Sequence, residues 1–389
     1  MRIILITSKL NFETAGGSVL DLHWKAKSLL DHGHDVTVVT AFSRANNITL
    51  ELPYMVKKEN IAPKGNLLSM QSGIYGLLKK YEKDADAFYI DGHMFLYGGG
   101  LYRMFGGDKP VVAFFNIRLN CWADMTGNPE HISFLKSIKK KIRVFLEHRI
   151  GIPIANHLDA FIFNTPMVQK MYTDFGVNGK KSLVIEDFVD VEGIIEQNRI
   201  TNNLLEKRQS SGNIVNIFCA GRMFKEKGFD LVINAFRQLP DKEKYRVIMS
   251  GGGPDKERLE NMVLEMGLKK YFSFPGWVER DKMFEFFLVS QIFIFPKWWI
   301  EYGSALLTEA MAFGMPCIIP GAGALEWLTE GSALTFIPDN TKDLSEKIHL
   351  LGENERLRTK LSKDILTRAK HLDYRVLERK LNDVMMTAV

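Results

Sequence analysis

The feature that most limits how this chain can fold is an alternation that runs twice along it. Short apolar, β-branched runs alternate with helix-length amphipathic stretches, first through the N-terminal half and again through the C-terminal half. Arg2 to Ser8 is the first such run, and a loop containing Gly16-Gly17 follows it. An amphipathic stretch from Ser18 to His32 comes next, closed by Gly33, and Asp35–Thr40 is a second strand. Strand, glycine loop, helix and strand together make a βαβ unit. Further strands are expected at 87–90, 111–115, 160–163 and 183–185. Apolar strands separated by helices imply a parallel sheet covered on both faces.

From Glu192 to Gly212 the pattern gives way to polar, turn-rich sequence, which reads as a domain linker. The alternation then restarts, with strands expected at 214–219, 245–249, 271–274, 292–295, 317–319 and 334–337. Helices are expected at 229–239, 255–266 and 304–313. The expectation is therefore an α/β protein with two Rossmann-like domains facing each other across a cleft. Residues 1–193 form the first and 194–371 the second, and a last helix over 372–389 returns to the first. Ligands of open α/β sheets sit beyond the carboxyl ends of the strands, so the cleft is the expected site.

Composition narrows the function classes. A chain of 389 residues suits two domains at ~150 residues each, and 46% hydrophobic with 25% charged residues excludes a disordered or fibrous protein. Lys and Arg exceed Asp and Glu by 51 − 46 = 5, a mild basicity that favours phosphorylated ligands or an anionic surface. Neither a helix-turn-helix nor an aromatic-and-basic platform is visible, so no nucleic-acid partner is expected. Cys121, Cys219 and Cys317 stand far apart, which suits a reducing compartment rather than a disulfide or zinc framework. No apolar run reaches the ~20 residues of a membrane span, and the opening Met1–Ser8 is too short for a signal peptide. A cytoplasmic protein is expected.

Three segments carry chemistry. In Gly221-Arg222-Met223-Phe224-Lys225-Glu226-Lys227-Gly228, an Arg and a Lys five residues later stand between a strand and a helix. Guanidinium, ammonium and helix amides can neutralise a diphosphate without a metal, although a surface loop with two solvated cations would look the same. Ser250-Gly251-Gly252-Gly253-Pro254-Asp255 follows the next strand, where glycines either let a ligand approach or make a tight turn. It is not GxGxxG, which weakens a nicotinamide-dinucleotide reading. In Glu301-Tyr302-Gly303-Ser304-Ala305-Leu306-Leu307-Thr308-Glu309, the carboxylates stand 309 − 301 = 8 positions apart. That is about 80° off a shared helix face. Glu301 is thus expected in the loop and Glu309 two turns into the helix, with amides near Gly303, Ser304 and Ala305 aimed at an anion. Glu309 could accept both hydroxyls of a ribose, or be a solvated helix position; Glu301 could bind a sugar ring, or complement the helix dipole.

In order and context these segments resemble the retaining GT-B glycosyltransferases of family four. The match runs through Gly-Arg-x4-Lys-Gly, the triple-glycine turn and Phe274-Pro275-Gly276-Trp277-Val278. It continues through the Glu301–Glu309 segment to Gly321-Ala322-Gly323-Ala324-Leu325-Glu326, with Gly16-Gly17, Gly33 and Asp190 fitting in the N-terminal half. The resemblance implies a metal-independent enzyme that takes a nucleotide-diphosphate sugar, with no cofactor, and keeps the anomeric configuration. Arg222 and Lys227 would bind the diphosphate, Glu309 the ribose and Glu301 the transferred sugar. Gly303, Ser304 and Ala305 would supply amides, Gly251 a close approach, and backbone near Trp277 and Val278 the base contacts. Gly16 and Gly17 would approach from the other domain. A GT-B epimerase or a non-catalytic carbohydrate-binding protein is the alternative.

One departure concerns the acceptor side. The family commonly places a His where this chain has Asn116, which can hydrogen-bond but is no base at neutral pH. His93, after the preceding strand, is a second candidate on that side. The implied acceptor is a saccharide or lipid-linked glycan, in polysaccharide or lipopolysaccharide synthesis. Over 134–150 a basic amphipathic helix is expected, with Phe134, Ile138, Ile142, Phe145 and Leu146 as its stripe. Either that stripe packs in the core, or the helix lies on anionic lipid at the inner face of the plasma membrane.

Overall fold

The computed structural model describes residues 1–12, 17–61, 67–117, 141–210, 212–296 and 302–389. The chain divides into two units: Met1–Phe188 with Tyr374–Val389, and Val189–Asp373.

In the first unit the apolar runs become parallel strands: β1 (Arg2–Thr7), β2 (Asp35–Thr40), β3 (Met55–Lys58), β4 (Ala87–Asp91), β5 (Val111–Phe115), β6 (Ala160–Phe163) and β7 (Ser182–Val184). Their order is β3-β2-β1-β4-β5-β6-β7. All five residues of β5 are buried, as a parallel strand with helices on both faces requires. β3 is the exception. It is a short edge strand with half-buried and exposed residues, so it lacks the apolar signal that marks the others. The closing helix Tyr374–Ala388 buries Tyr374, Leu377, Leu381 and Met385. Their three- and four-residue spacing is one helical face, and it packs on helix Gly17–Asp31, with Trp24 stacked on Tyr374 at 4.9 Å.

The second unit holds β8 (Val215–Ala220), β9 (Tyr245–Ser250), β10 (Phe272–Gly276), β11 (Ile292–Ile294), β12 (Cys317–Pro320) and β13 (Leu334–Phe336), ordered β10-β9-β8-β11-β12-β13. All the pairings are parallel. The sequence order reverses between β8 and β11 here, and between β1 and β4 in the first unit. Such switch points leave a crevice at the carboxyl ends of the strands.

One expectation needs correction. The supposed linker 192–212 contains helices Val191–Gln197 and Asn202–Ser210, both in the second unit, and the expected boundary at 193 falls inside the first of them. Two polar residues of the second helix are buried, Arg208 and Gln209, while Asn202, Asn203, Glu206 and Lys207 face solvent. Arg208, 4% exposed, donates to the carbonyl of Phe313 at 2.9 Å, and Gln209 is tied to Ser362 and Arg358. A polar residue that satisfies helix-end carbonyls belongs inside. Of the two alternatives for the amphipathic stretch, the described part does not follow core packing: Ile142, Phe145 and Leu146 are exposed, as is the neighbouring Ile150, while Glu147 is buried. Residues 134–140 lie outside the described residues.

Candidate functional site

In the second unit, the loop after β8 and the one after β9 are woven together. Met223 N–H donates to the carbonyl of Gly252 at 2.8 Å, Asp255 N–H to that of Met223 at 3.0 Å, and Gly251 N–H to that of Gly276 at 2.8 Å. Glycine is required for this approach. A Cβ on Gly251, at φ 139°, would lie 1.8 Å from the carbonyl oxygen of Gly221. The weave holds Arg222 exposed at the end of β8, its guanidinium 5.7 Å from the centre of the Phe224 ring. Lys227 ends a short 3-10 turn, and Gly228, left-handed at φ 69°, then opens helix Phe229–Arg237. Both cations therefore stand at a strand-to-helix junction on one side of the switch point.

On the other side, β11 leads to Tyr302, Gly303 and helix Ala305–Ala312. Ser304 caps that helix, its hydroxyl accepting from Leu307 N–H at 3.1 Å. Glu309 is not a solvated position. It is 6% exposed, and its Oε1 accepts from the Arg280 guanidinium at 2.8 Å. Burial pushes the Glu309 carboxyl above its ordinary pKa and the Arg280 charge opposes that shift. Arg280 starts helix Arg280–Val289, just beyond exposed Trp277 and half-buried Val278 at the end of β10. Glu301 and Gly16, together with Trp298 and Trp299, lie outside the described residues, and Gly17 is the exposed first residue of its helix.

At the first unit's switch point the chemistry differs. Thr7 Oγ1, ending β1, donates to Asp91 Oδ2, ending β4, at 2.9 Å. Lys25 and Asp21, each 1% exposed, pair at 2.7 Å, and the ammonium lies 3.1 Å from the centre of the Phe114 ring. Asp187 accepts from Asn164 Nδ2 at 3.2 Å. Burial, with Asp21 close by, raises Asp91 to about 6 and Asp187 to about 7. His93 follows β4, and burial, reinforced by Arg143, pulls its pKa down to about 4, so it is neutral at pH 7. Asn116 is half-buried just past β5. Sequence reasoning missed Asp21, Lys25, Asp91, Asp187 and Arg280. An acid and a base four apart on a helix read as a solvated pair, and Arg280 and Glu309 are too distant in sequence to be linked by pattern. Among the described residues, no group of three or more His, Cys, Asp or Glu could hold a metal ion, and no helix is long and apolar enough to cross a membrane.

Two doubly wound parallel sheets, each with a switch point, define the GT-B fold. Family comparison agrees: residues 203–368 match "Glycosyl transferases group 1" and residues 16–192 match "Glycosyltransferase Family 4". The chain belongs to the group 1 glycosyltransferases. An uncharacterized 41.2 kDa protein in the cps region of Klebsiella pneumoniae is 26% identical over 58% of this chain and 60% of its own length. The lipopolysaccharide core biosynthesis glycosyltransferase LpsD of Rhizobium meliloti is 28% identical over 36% of this chain and 40% of its own. The chain thus spans less than two thirds of the length of these relatives. Anabaena HepE, solved with UDP and glucose, shares the fold over 100% of both chains, with a TM-score of 0.74 at 17% identity.

Proposed function

We propose that the chain is a retaining, metal-independent glycosyltransferase that moves a sugar from a nucleotide-diphosphate sugar to a saccharide or lipid-linked glycan. The observation that carries this reading is the placement of Arg222 and Lys227 at the β8 junction, across the switch point from the helix that holds Glu309. Positive groups aimed at a departing diphosphate stabilise the charge that grows as the glycosidic bond breaks. Arg222 supplies a planar fork and Lys227 a point charge, so no cation is needed as Lewis acid. Glu309 accepts from the ribose, Glu301 from the transferred sugar, and the departing phosphate takes the acceptor proton. His93, neutral at pH 7, and Asn116 then serve as hydrogen-bonding groups toward the acceptor rather than as bases. That HepE was solved with UDP and glucose supports the donor class, and LpsD supports a role in surface polysaccharide or lipopolysaccharide synthesis.

The exposed side chains of Ile142, Phe145, Leu146 and Ile150, with Lys141 and Arg149 among them, favour contact with anionic lipid. This contact would place the protein at the cytoplasmic face of the membrane. Two experiments test the reading. Titration calorimetry with UDP, GDP and ADP should find one tight ligand, and its affinity should fall ~10–100-fold in Arg222→Ala and in Lys227→Ala, the worth of one charge-assisted contact. Unchanged affinity in both variants would refute the phosphate assignment. Co-sedimentation with phosphatidylglycerol vesicles should fall in a Phe145→Ser/Leu146→Ser variant; equal binding would remove the lipid surface from the proposal.

A further inference from the structure

Helix Ala305–Ala312 buries Leu307, Thr308, Ala310, Met311 and Ala312, and among them stands one carboxylate, Glu309. A charge at that depth needs a partner, and the partner comes from a different loop. Arg280 Nη2 donates to Glu309 Oε1, and the guanidinium is 5.0 Å from the centre of the Phe284 ring, one turn further along its own helix. The Arg280 side chain is 36% exposed, and its Nε–H is buried with no hydrogen-bond partner among the described residues. The guanidinium is thus held on one edge by Glu309 and on one face by Phe284. It also sits directly after the Trp277–Glu279 loop that ends the edge strand.

We infer that Arg280 is the positioning residue that turns Glu309 into a selective acceptor for a ribose 2′,3′-diol. A carboxylate has about four lone-pair directions. The contact from Arg280 uses one on Oε1 and fixes the plane of the group, leaving Oε2 and the outer side of Oε1 for two vicinal hydroxyls. Without Arg280 the carboxyl would be buried with no opposing charge. It would gain a proton more readily, and a protonated carboxyl would offer a donor where the sugar needs an acceptor. The proposal rests on the nucleotide-sugar reading of Glu309 and adds to it a second side chain on which ribose recognition depends.

The test is calorimetry on the full chain with UDP, GDP and ADP, and with the 2′-deoxy counterpart of whichever binds most tightly. The wild-type protein should prefer the ribonucleotide by ~10-fold or more, the worth of one hydrogen bond to a charged group. In Arg280→Met that preference should shrink to under ~3-fold, and in Arg280→Lys part of it should return. Glu309→Gln, which keeps shape and volume, should lose the preference equally. If Arg280→Met does not fold, the Arg280→Lys and Glu309→Gln ratios decide the matter on the same criterion. A wild-type ratio in Arg280→Met or Glu309→Gln overturns the inference, and so does a parallel loss of ribo- and deoxynucleotide affinity. If the wild-type protein binds a nucleoside diphosphate with no ribose preference, the ribose assignment of Glu309 and the positioning role of Arg280 fail together, while the diphosphate assignment of Arg222 and Lys227 stands. If it binds none of the three, the donor reading fails beneath it.

Discussion

The two switch points have the same topology and opposite chemistry. In the first unit Asp91 at the end of β4, Asp187 beyond β7 and Asp21 of helix Gly17–Asp31 lie close to Lys25. In the second, the loop after β8 presents Arg222 and Lys227, and the buried carboxylate of Glu309, on the helix after β11, is answered by Arg280. A diphosphate is attracted to the second arrangement and repelled by the first. Clustered carboxylates suit neutral polyol hydroxyls instead, which they accept as hydrogen-bond donors. The same topology thus carries opposite charge in the two units through the residues set beyond its strand ends.

Several substitutions would break or sharpen this contrast. The largest effect is expected from Lys25→Met, which leaves Asp21 buried without its ammonium. Stability by urea denaturation should fall by ~3–5 kcal/mol, while nucleotide affinity, which the proposed function assigns to the second unit, should hold. Gly251→Ala should come next, at ~2–4 kcal/mol, because its methyl meets the Gly221 carbonyl and its backbone is left-handed. Here nucleotide binding should weaken along with stability, the reverse of Lys25→Met.

A subtler contrast lies in pH. With Asp91 near 6 and Asp187 near 7, both above the ordinary carboxyl value of 3.8, the folded chain keeps protons that the unfolded chain has lost. Their contribution therefore favours folding at the acid end of that window and is lost as pH rises toward 7. From pH 5 to pH 8 the two shifts together span about three pKa units, or ~4 kcal/mol, so melting of the first unit should fall by roughly ten degrees, and Asp187→Asn should flatten that slope. The smallest change is expected for Asn116→His. Turnover within ~2-fold of wild type, by an acceptor-dependent assay, would show that this position contributes no proton transfer.

The residues themselves show why some of this was legible in the sequence and some was not. Continuous apolar strands such as Val111–Phe115 announce themselves because both faces are covered, and the glycines at 221, 228 and 251 mark positive-φ backbone that favours glycine. Helix Asn202–Ser210 was hidden because Arg208 and Gln209 look like surface residues until their partners in other helices are known. Lys25 was hidden for the same reason, since a buried ammonium and a solvated one share the same spacing from Asp21. Arg280 illustrates the remaining limit: its chemistry depends on Glu309, 29 positions away, and no local period connects them.

The interlocked peptide planes of 221–223 and 250–255 set a rule for redesign. Transplanting either segment alone from a homologue would bring a foreign main-chain trace against an unmatched one. A chimera meant to change donor preference must exchange both as a single cassette, with Gly276 included.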